Sequence, residues 1–527
     1  MAMLSVSRRA ALGALALAGL GPRVSLSADG RVLRVRTDLD PQSLDPGWMI
    51  GGLAETTLQH ACLGTLAVYT PGETWGWRAS DFVEHLEQVD DLRIDFRLRP
   101  GIQWSNGNGE LSAEDVQYSI ERLANPANQA PWAGKWAVLD HVEVHDALAG
   151  SIVLKEPFAP IWLTTIPHAT ASFVCKRAIE ERGTAATLED GTVVKTFGAE
   201  FPAICGPYMV KDWLPKQRVE LTRNPDWNGP EPAFAEIHIV TIEDEKAAEI
   251  AYDAGELDLT AISLDSLKAY QQVMPADTTL TMRPGTFWTW LGMNTQHANL
   301  ADLRVRQAIQ RAVDVDAILA AAYADASPRS FGVVPPGVLG HRDASGIGGR
   351  DVEGAKALIA EVGAEGMTLS LTTLNKSDRL SAAQIIQANL AEIGLIVDVR
   401  PYDEATFWNL GLESEGADWK DLQLILQRYG DAPDPSQMMQ WYVSSQVGVW
   451  NWERWTSEEF DRLASDGIKE RDPAKRAAIY VRMQEIMEET GAYVWITHEP
   501  IPHLHRDDVV PAIFPDGLMF LPGFAAA

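Results

Sequence analysis

Cysteine and positive charge are both scarce in this sequence. Only 3 of the 527 residues are cysteine, and the spacing of Cys62, Cys175 and Cys205 fits no disulfide framework. We expect mostly buried thiols, although an oxidising compartment would permit one disulfide. Lys and Arg number 44 against 73 Asp and Glu, which gives a net charge of −29. Such a surface repels phosphate backbones and anionic lipid, so no nucleic-acid partner is expected.

Motifs for catalysis and for metal binding are also scarce. The stretch GIGGRD at 346–351 departs from the dinucleotide-binding pattern, because Asp351 occupies its last glycine position and no strand precedes it. The stretch HEPIPH at 498–503 differs from a zinc-protease helix, since Pro500 and Pro502 prevent that helix from forming. No G-x-S-x-G elbow and no S-x-x-K motif occurs. The sequence therefore predicts a protein that is not an enzyme and that uses no cofactor or metal.

Long apolar runs are confined to the start of the chain, where residues 1–28 are typical of an export signal. Arg8 and Arg9 precede the apolar run at 10–20, and small residues at 25–28 offer a cleavage site. The arginine pair resembles a twin-arginine signal, with general export as the alternative. The run is too short to span a bilayer, and no cysteine follows it to carry a lipid. We expect a mature protein in the periplasm without a lipid anchor.

Strand and helix patterns alternate along the rest of the chain. Val32–Arg36 alternates like a strand, Ser112 and Asp115 are placed to begin a helix, and Gly255 is placed to end another. This alternation predicts the α/β class. A chain of 527 residues is too long for one core, so two to four domains are expected.

Aromatic and acidic residues gather in the second half of the chain. Trp288 and Trp290 lie two apart and share one face of a predicted strand. Six more tryptophans crowd a short stretch: Trp408, Trp419, Trp441, Trp450, Trp452 and Trp455. The same stretch holds an apolar strand that runs into the motif YGDAPDP, at 429–435. Packing in a core and lining a ligand cleft are both consistent with these tryptophans.

Five segments, in this order, resemble the periplasmic solute-binding proteins of ABC importers, in the oligopeptide, dipeptide and nickel-binding family. They are SLDPG (43–47), LRPGIQWSNGNGELSAEDVQYSIERL (98–123), CGPYMVKDWLPKQRVELTRNPDW (205–227), LGMNTQHANLADLRVRQAIQRAVD (291–314) and RWTSEEFDRL (454–463). They span most of the mature chain. Because they are mostly structural signatures, they indicate the fold better than they indicate the ligand.

The resemblance implies an α/β, two-lobed periplasmic binding protein fold with an extra inserted domain. Its lobes close on a ligand held in the cleft between them. The implied partners are a small-molecule or peptide solute and the membrane permease of an ABC importer, with the binding protein itself a monomer. The implied divisions are a first lobe from 29–64, 188–285 and 497–527, an inserted domain at 65–187, and a second lobe at 286–496.

The resemblance also implies which residues meet the ligand. In dipeptide and oligopeptide binders, an aspartate after an apolar strand pairs with the α-ammonium of the peptide, and the matching residue is Asp431, with Asp434 as the second choice. Tyr429 is expected to line the pocket beside it. Trp288, Trp290, Trp408 and Trp441 are also expected to line the cleft, because an acidic group lies among the clustered tryptophans.

Two positions depart from the family pattern. Arg428 stands where an aromatic residue is usual, so it either faces an acidic ligand, such as an opine, or pairs with a surface carboxylate. The arginine that meets the ligand carboxylate in dipeptide binders falls near Thr373, with only Lys376 and Arg379 nearby. A standard dipeptide is therefore not assured as the ligand.

Other functions stay open on the sequence alone. The same fold serves ligands such as a metal chelate, haem, an opine or a sugar conjugate. A secreted hydrolase and a periplasmic chaperone are alternatives from other classes.

Overall fold

The structure, a computed structural model, describes residues 30–49, 52–188 and 190–527. The predicted export signal at 1–28 lies outside the described residues. The strands are β1 Val32–Thr37, β2 Ala67–Tyr69, β3 Trp77–Ala79, β4 Val83–Gln88, β5 Arg93–Leu98, β6 Gln103–Trp104, β7 Gly109–Glu110, β8 Leu139–Val144, β9 Ala149–Leu154, β10 Thr184–Thr187, β11 Val193–Thr196, β12 Tyr208–Leu214, β13 Arg218–Arg223, β14 Glu236–Thr241, β15 Leu259–Ala261, β16 Thr278–Met293, β17 Thr368–Leu374, β18 Ile396–Tyr402, β19 Leu424–Gly430, β20 Tyr493–Arg506, β21 Val509–Val510 and β22 Ala525–Ala526.

The α-helices are α1 Leu53–Cys62, α2 Ala113–Ala124, α3 Ile161–Thr164, α4 Lys176–Arg182, α5 Glu245–Asp253, α6 Leu264–Gln272, α7 Leu303–Ala312, α8 Val315–Ala322, α9 Val352–Val362, α10 Ser377–Glu392, α11 Glu404–Phe407, α12 Pro435–Met439, α13 Glu458–Lys469 and α14 Pro473–Glu489. No helix in the described part of the chain is long and apolar enough to cross a membrane.

A ten-stranded sheet runs through the molecule in the order β12-β13-β14-β1-β15-β20-β16-β19-β17-β18. Parallel pairs such as β1 with β14 and β17 with β18 need helical crossovers, whereas β16 is antiparallel to both β19 and β20. A separate antiparallel sheet, β4-β5-β9-β8, lies within 65–187. The mixture of helices with a large mixed sheet confirms the predicted α/β class.

The two longest strands, β16 and β20, join the two ends of this sheet. They pair from Thr278 opposite Arg506 to Gly292 opposite Tyr493, and the register shifts between Arg283 and Phe287. Gly285 lies in this irregular stretch with φ at 72°. That conformation is readily available only to glycine, so the sequence PG at 284–285 marks where the ladder is broken.

Two large apolar cores lie on this sheet. The first core contains strands and helices from the first half of the chain, such as Leu58 on α1, together with Phe514 and Phe520 near the end of the chain. The His60 ring, on the same helix, meets the Phe514 ring edge-on at 6.0 Å. The second core is built from residues between 291 and 426, joined by Val494 and Ile496 on β20.

Several local predictions are confirmed. Helix α2 begins at the predicted cap, where the Asp115 amide donates to the Ser112 hydroxyl at 3.3 Å and the Ser112 amide donates back to the Asp115 carboxylate at 3.0 Å. Helix α5 is followed by Gly255 with φ at 80°. All three cysteines are free and buried. The exact divisions between lobes and inserted domain stay a prediction.

Candidate functional site

Asp431 lies directly after β19, an inner strand of the large sheet between β16 and β17. The strand is apolar because it is buried from Leu424 to Gln427, as a strand covered on both faces must be. The half-buried Asp431 carboxylate accepts hydrogen bonds from the Ala432 amide at 2.7 Å and from Gln440 Nε2 at 3.1 Å. Burial raises the pKa of Asp431, and these hydrogen bonds partly oppose the rise. The carboxylate is thus held in place and partly desolvated.

Lys135, on a different part of the chain, lies near enough to Asp431 for the two charges to influence each other. It belongs to the short 3₁₀ turn Ala133–Trp136, and its ammonium lies 5.5 Å from the centre of the Trp132 ring. Burial lowers the pKa of Lys135, while the charge of Asp431 opposes that change. The sequence offered no signal that these two opposite charges, one within 65–187 and one in the second half of the chain, lie near enough to influence each other.

Asp434, three residues further on, has a different environment. It is 1% exposed, and Arg476 donates to its two oxygens at 2.7 and 2.8 Å. The Ser436 amide also donates to Asp434 at 2.9 Å, which caps helix α12. Its acceptor capacity is therefore used by the protein, and its role is to hold α12 against α14.

Tyr429 is the centre of an aromatic cluster on one face of β19. Its hydroxyl donates to the Trp450 carbonyl at 2.9 Å, and burial raises the pKa of Tyr429 well above its ordinary range. The rings of Trp408 and Trp441 lie 6.0 and 5.9 Å from the Tyr429 ring, centre to centre. Both of these tryptophans are half-buried, so each keeps a face that a ligand could touch.

Trp288 and Trp290 also pack against Tyr429, but from behind. Both side chains are fully buried, at 0% exposure. The Trp288 indole donates to the Tyr442 hydroxyl at 2.8 Å, and the Trp290 indole donates to a Glu453 oxygen at 2.7 Å. The sequence predicted that these two residues share one strand face. It also placed both at the pocket, but in this structure neither indole presents a surface to a ligand.

Glu453 is a buried carboxyl group that sequence reasoning missed. It is 0% exposed and also accepts from Gln427 Nε2 at 3.0 Å. Burial raises the pKa of Glu453 to about 7, and the hydrogen bonds from Trp290 and Gln427 oppose the rise. Gly292 faces it, and a Cβ there would overlap the carboxyl oxygen. The glycine is therefore required by the close approach of Glu453.

Arg428 is paired with a buried carboxylate. Its Nε lies 2.7 Å from Glu499 Oε2, and its guanidinium carbon lies 3.6 Å from the centre of the Phe287 ring. Glu499 also contacts Arg379 and accepts from Thr289 Oγ1 at 2.6 Å. Burial alone would raise the pKa of Glu499, but the two arginines lower it. Glu499 is therefore ionised, and it ties β20 to β19 and α10.

A cavity of about 520 Å³ opens beside Arg428. Its walls come from three places, namely the segment after β15, the end of β17 with α10, and the middle of β20. The residues that line the cavity include Ile262, Phe287, Lys376, Trp408, Arg428 and Pro500. Thr373 is buried and donates to the Leu426 carbonyl at 3.2 Å, so this position is part of the sheet interior. Such a cleft between parts of a protein is a usual place for a ligand.

One group of possible metal ligands is found in the described residues, on the outer strands of the large sheet. It consists of Glu220, Glu236 and His238. Lys211 lies 3.0 Å from Glu236 and Arg218 lies 2.7 Å from Glu220. These cations already balance the carboxylates, so the group is an ordinary surface ion-pair cluster.

Comparison with known proteins agrees with this architecture. Residues 76–449 match the family of bacterial extracellular solute-binding proteins, family 5 Middle. The probable D,D-dipeptide-binding periplasmic protein DdpA of Escherichia coli (strain K12) is 25% identical over 512 residues, which cover 93% of each chain. The periplasmic oligopeptide-binding protein OppA of the same organism is 25% identical over 533 residues, again with 93% of each chain covered. The solved structure of HbpA2 from Haemophilus parasuis superimposes with a TM-score of 0.80 at 21% identity, covering 94% of this chain and 100% of that one.

The chain belongs to family 5 of the bacterial extracellular solute-binding proteins. It has the two-lobed fold of that family, and it is the substrate-binding component of an ABC importer rather than an enzyme.

Proposed function

We propose that this protein captures a peptide-like or amino-containing solute between its lobes and delivers it to the membrane permease of an ABC importer. Asp431 accepts the ammonium of the solute. Two relatives are named as a probable D,D-dipeptide-binding protein and an oligopeptide-binding protein. These names support this solute class. As the lobes close, water is stripped from the ammonium, and a desolvated cation needs a charged hydrogen-bond partner.

The contrast between two aspartates carries this proposal. Asp434 is saturated by Arg476 and Ser436. Within the described residues, by comparison, no arginine or lysine forms an ion pair with Asp431 within 4.0 Å, and Lys135 acts on it only from a greater distance. The Asp431 carboxylate is half-buried and held by Ala432 and Gln440. A partly desolvated carboxylate without its own ion pair is a suitable acceptor for a cation that arrives with a ligand.

The surrounding residues take distinct roles in this proposal. Trp408 and Trp441 form walls of the pocket with their exposed faces, and Tyr429 sets their spacing. Trp288 and Trp290 support Tyr429 from the interior. In this proposal the lobes have the bounds expected from the sequence, β16 and β20 carry the hinge near Gly285, and closure is a rotation about it.

The location of the protein completes the proposal. Residues 1–28 are removed on export, with Arg8 and Arg9 directing the twin-arginine route. The mature chain then acts in the periplasm as a monomer, without a lipid anchor.

The test compares Asp431→Asn with the wild type. Purified protein is denatured, the released small molecule is identified by mass spectrometry, and its affinity for both proteins is measured by calorimetry. Losing one partner of a desolvated ion pair costs roughly 2–5 kcal/mol, so affinity should fall by about 30-fold to more than 1,000-fold. The melting temperature of the empty protein should hardly change.

Asp398→Asn is the matched control, because Asp398 lies on β18 and, in the described part of the chain, pairs only with the exposed Arg400 at 2.8 Å. It should bind like the wild type. Wild-type affinity in Asp431→Asn would mean that the solute has no ammonium at this position, and the proposed solute class would be abandoned.

A further inference from the structure

A further cavity, of about 260 Å³, lies where the segment 65–187 meets the first core. Its walls come from the last turn of α1, from the residues around Phe82, and from Trp227 and Phe520 further along the chain. It shares no lining residue with the cavity beside Arg428. The proposed solute site therefore does not account for it.

The imidazole of His60, on α1, lines this cavity and is only 6% exposed. The rings of Phe514 and Phe520 meet it edge-on, at 6.0 and 6.2 Å between ring centres. In the described part of the chain, neither of its ring nitrogens has a hydrogen-bond partner. Burial lowers the pKa of His60 to about 4, so near neutral pH the uncharged ring has one nitrogen that donates and one that accepts.

Ser172 lines the same cavity and is 2% exposed. Its hydroxyl has no hydrogen-bond partner among the residues that the structure describes. The other hydroxyls of the wall differ, because Ser80 donates to the Thr65 carbonyl at 2.5 Å and Thr65 donates to the Ala67 carbonyl at 2.5 Å. Buried polar groups are normally paired, since an unpaired one costs free energy. Two unpaired side chains in the wall of one cavity therefore indicate a ligand that pairs with them.

Aromatic rings form much of the remaining wall. Phe82 and Trp227 lie 4.9 Å apart between ring centres, with their planes at 49°. The Trp227 indole already donates to the Pro230 carbonyl at 2.9 Å, so its ring offers an apolar surface on which another ring packs well. An apolar cavity of about 150 Å³ holds benzene, whereas drug-sized ligands occupy about 300 Å³ or more. The size of this cavity therefore suits a molecule with a single ring.

The charges of the wall balance each other. Arg78 lies 3.3 Å from Asp81, and these two residues carry the charges among the described lining residues. A charged ligand would lose its hydration here without gaining a free counter-charge, and that loss costs free energy. The wall therefore favours an uncharged ligand.

We propose that this cavity binds a small uncharged ring compound with one hydroxyl, of the phenol class, and that His60 and Ser172 are its hydrogen-bond partners. A hydroxyl both donates and accepts, which suits a neutral imidazole and a serine. The site is independent of the solute cleft. Because its walls come from 65–187 and from segments on both sides of it in sequence, a bound molecule holds these parts together and raises the melting temperature.

The test is a titration with three single-ring probes, namely phenol, toluene and benzoate. Binding is measured by calorimetry and by NMR of the 11 histidines, labelled with ¹³C. The His60 signal is the one missing from His60→Leu, or from His60→Gln if the leucine variant does not fold. Phenol should bind about 3- to 10-fold more tightly than toluene, the range for one net hydrogen bond. It should shift the His60 signal over the same concentrations that calorimetry reports, and benzoate should leave that signal unmoved.

The variants test the two hydrogen-bond partners. His60→Leu and Ser172→Ala should each bind toluene like the wild type and lose part or all of the preference for phenol, with the fold of each verified by its melting temperature. His141→Leu is the control, because His141 is exposed on β8 and pairs with Asp140 at 2.7 Å. It should keep the full preference.

Three results would overturn the proposal. Absence of phenol binding would remove the site, and calorimetric binding that leaves the His60 signal unmoved would place phenol elsewhere, such as in the solute cleft. Equal affinities for phenol and toluene in the wild type would refute the roles of His60 and Ser172. A shift of the His60 signal by benzoate, as large as that by phenol, would refute the uncharged class. Each of these results leaves the proposed capture of a solute untouched.

Discussion

Replacing Glu453 by glutamine is expected to make the protein more stable at alkaline pH. The carboxyl group is buried and has no cationic partner among the residues that the structure describes. It accepts from Trp290 at 2.7 Å and from Gln427 at 3.0 Å. Glutamine has nearly the same shape as a protonated glutamic acid, and its carbonyl oxygen can accept the same two hydrogen bonds. The substitution removes the titration and keeps these two contacts.

The size of the effect follows from the pKa of Glu453. Folding raises it from 4.5 to about 7, so between these values the folded state holds a proton that the unfolded state releases. The contribution of this proton to the free energy of unfolding is therefore fully present below pH 4.5 and is lost as the pH rises through 7. At about 1.4 kcal/mol per pH unit, the whole loss is about 3 kcal/mol. About 2 kcal/mol of this loss in unfolding free energy falls between pH 5.5 and pH 8.5. This pH range also avoids the sequence pI of about 4.7.

The measurement is urea unfolding of the wild type and Glu453→Gln, followed by tryptophan fluorescence at pH 5.5 and 8.5. The difference in unfolding free energy between the two proteins should shift by about 2 kcal/mol toward the glutamine variant at the higher pH. Glu84→Gln, at an exposed position on β4, should show no such shift. A pH-independent difference for Glu453→Gln would refute the claim that this carboxyl group is protonated in the folded protein.

Two further predictions concern other parts of the chain. Asp434→Asn should lower the unfolding free energy by about 3–5 kcal/mol because it leaves Arg476 buried without its partner. It should affect solute affinity much less than Asp431→Asn does. An unchanged melting temperature would contradict the structural role of the pair. Arg8→Lys combined with Arg9→Lys should trap the precursor in the cytoplasm, as seen by fractionation and immunoblotting, whereas unchanged export would favour the general route.

Features that depend on neighbours in sequence could be predicted from the sequence. The cap at Ser112, the glycine at 255 and the exclusion of a helix at 498–503 all follow from residues within a few positions, because capping and proline chemistry act locally. The order of strands and helices likewise indicated the α/β class. The short apolar strand before Asp431 was also evident from its composition.

Features that depend on distant partners could not be predicted in this way. Trp290 and its acceptor Glu453 are 163 residues apart, so nothing near Trp290 distinguishes a fully buried indole from one that lines a cleft. Arg428 was expected to meet either a ligand or a surface carboxylate, and its partner is the buried Glu499 on β20. Asp431 and Asp434 look alike in sequence, and only the position of Arg476 on α14 separates them.

The closing of the first core by Phe514 and Phe520 has a consequence for the order of events during synthesis. Helix α1 packs against segments from the first half of the chain and also against the distant Phe514 and Phe520, so part of its surface lacks its partners until that later segment has been made. Contacts between such distant segments form late, since the loop between them must close first. The first core of the nascent chain therefore stays incomplete until the segment with Phe514 and Phe520 has emerged, and the position of that segment sets the interval in which a chaperone can engage the chain.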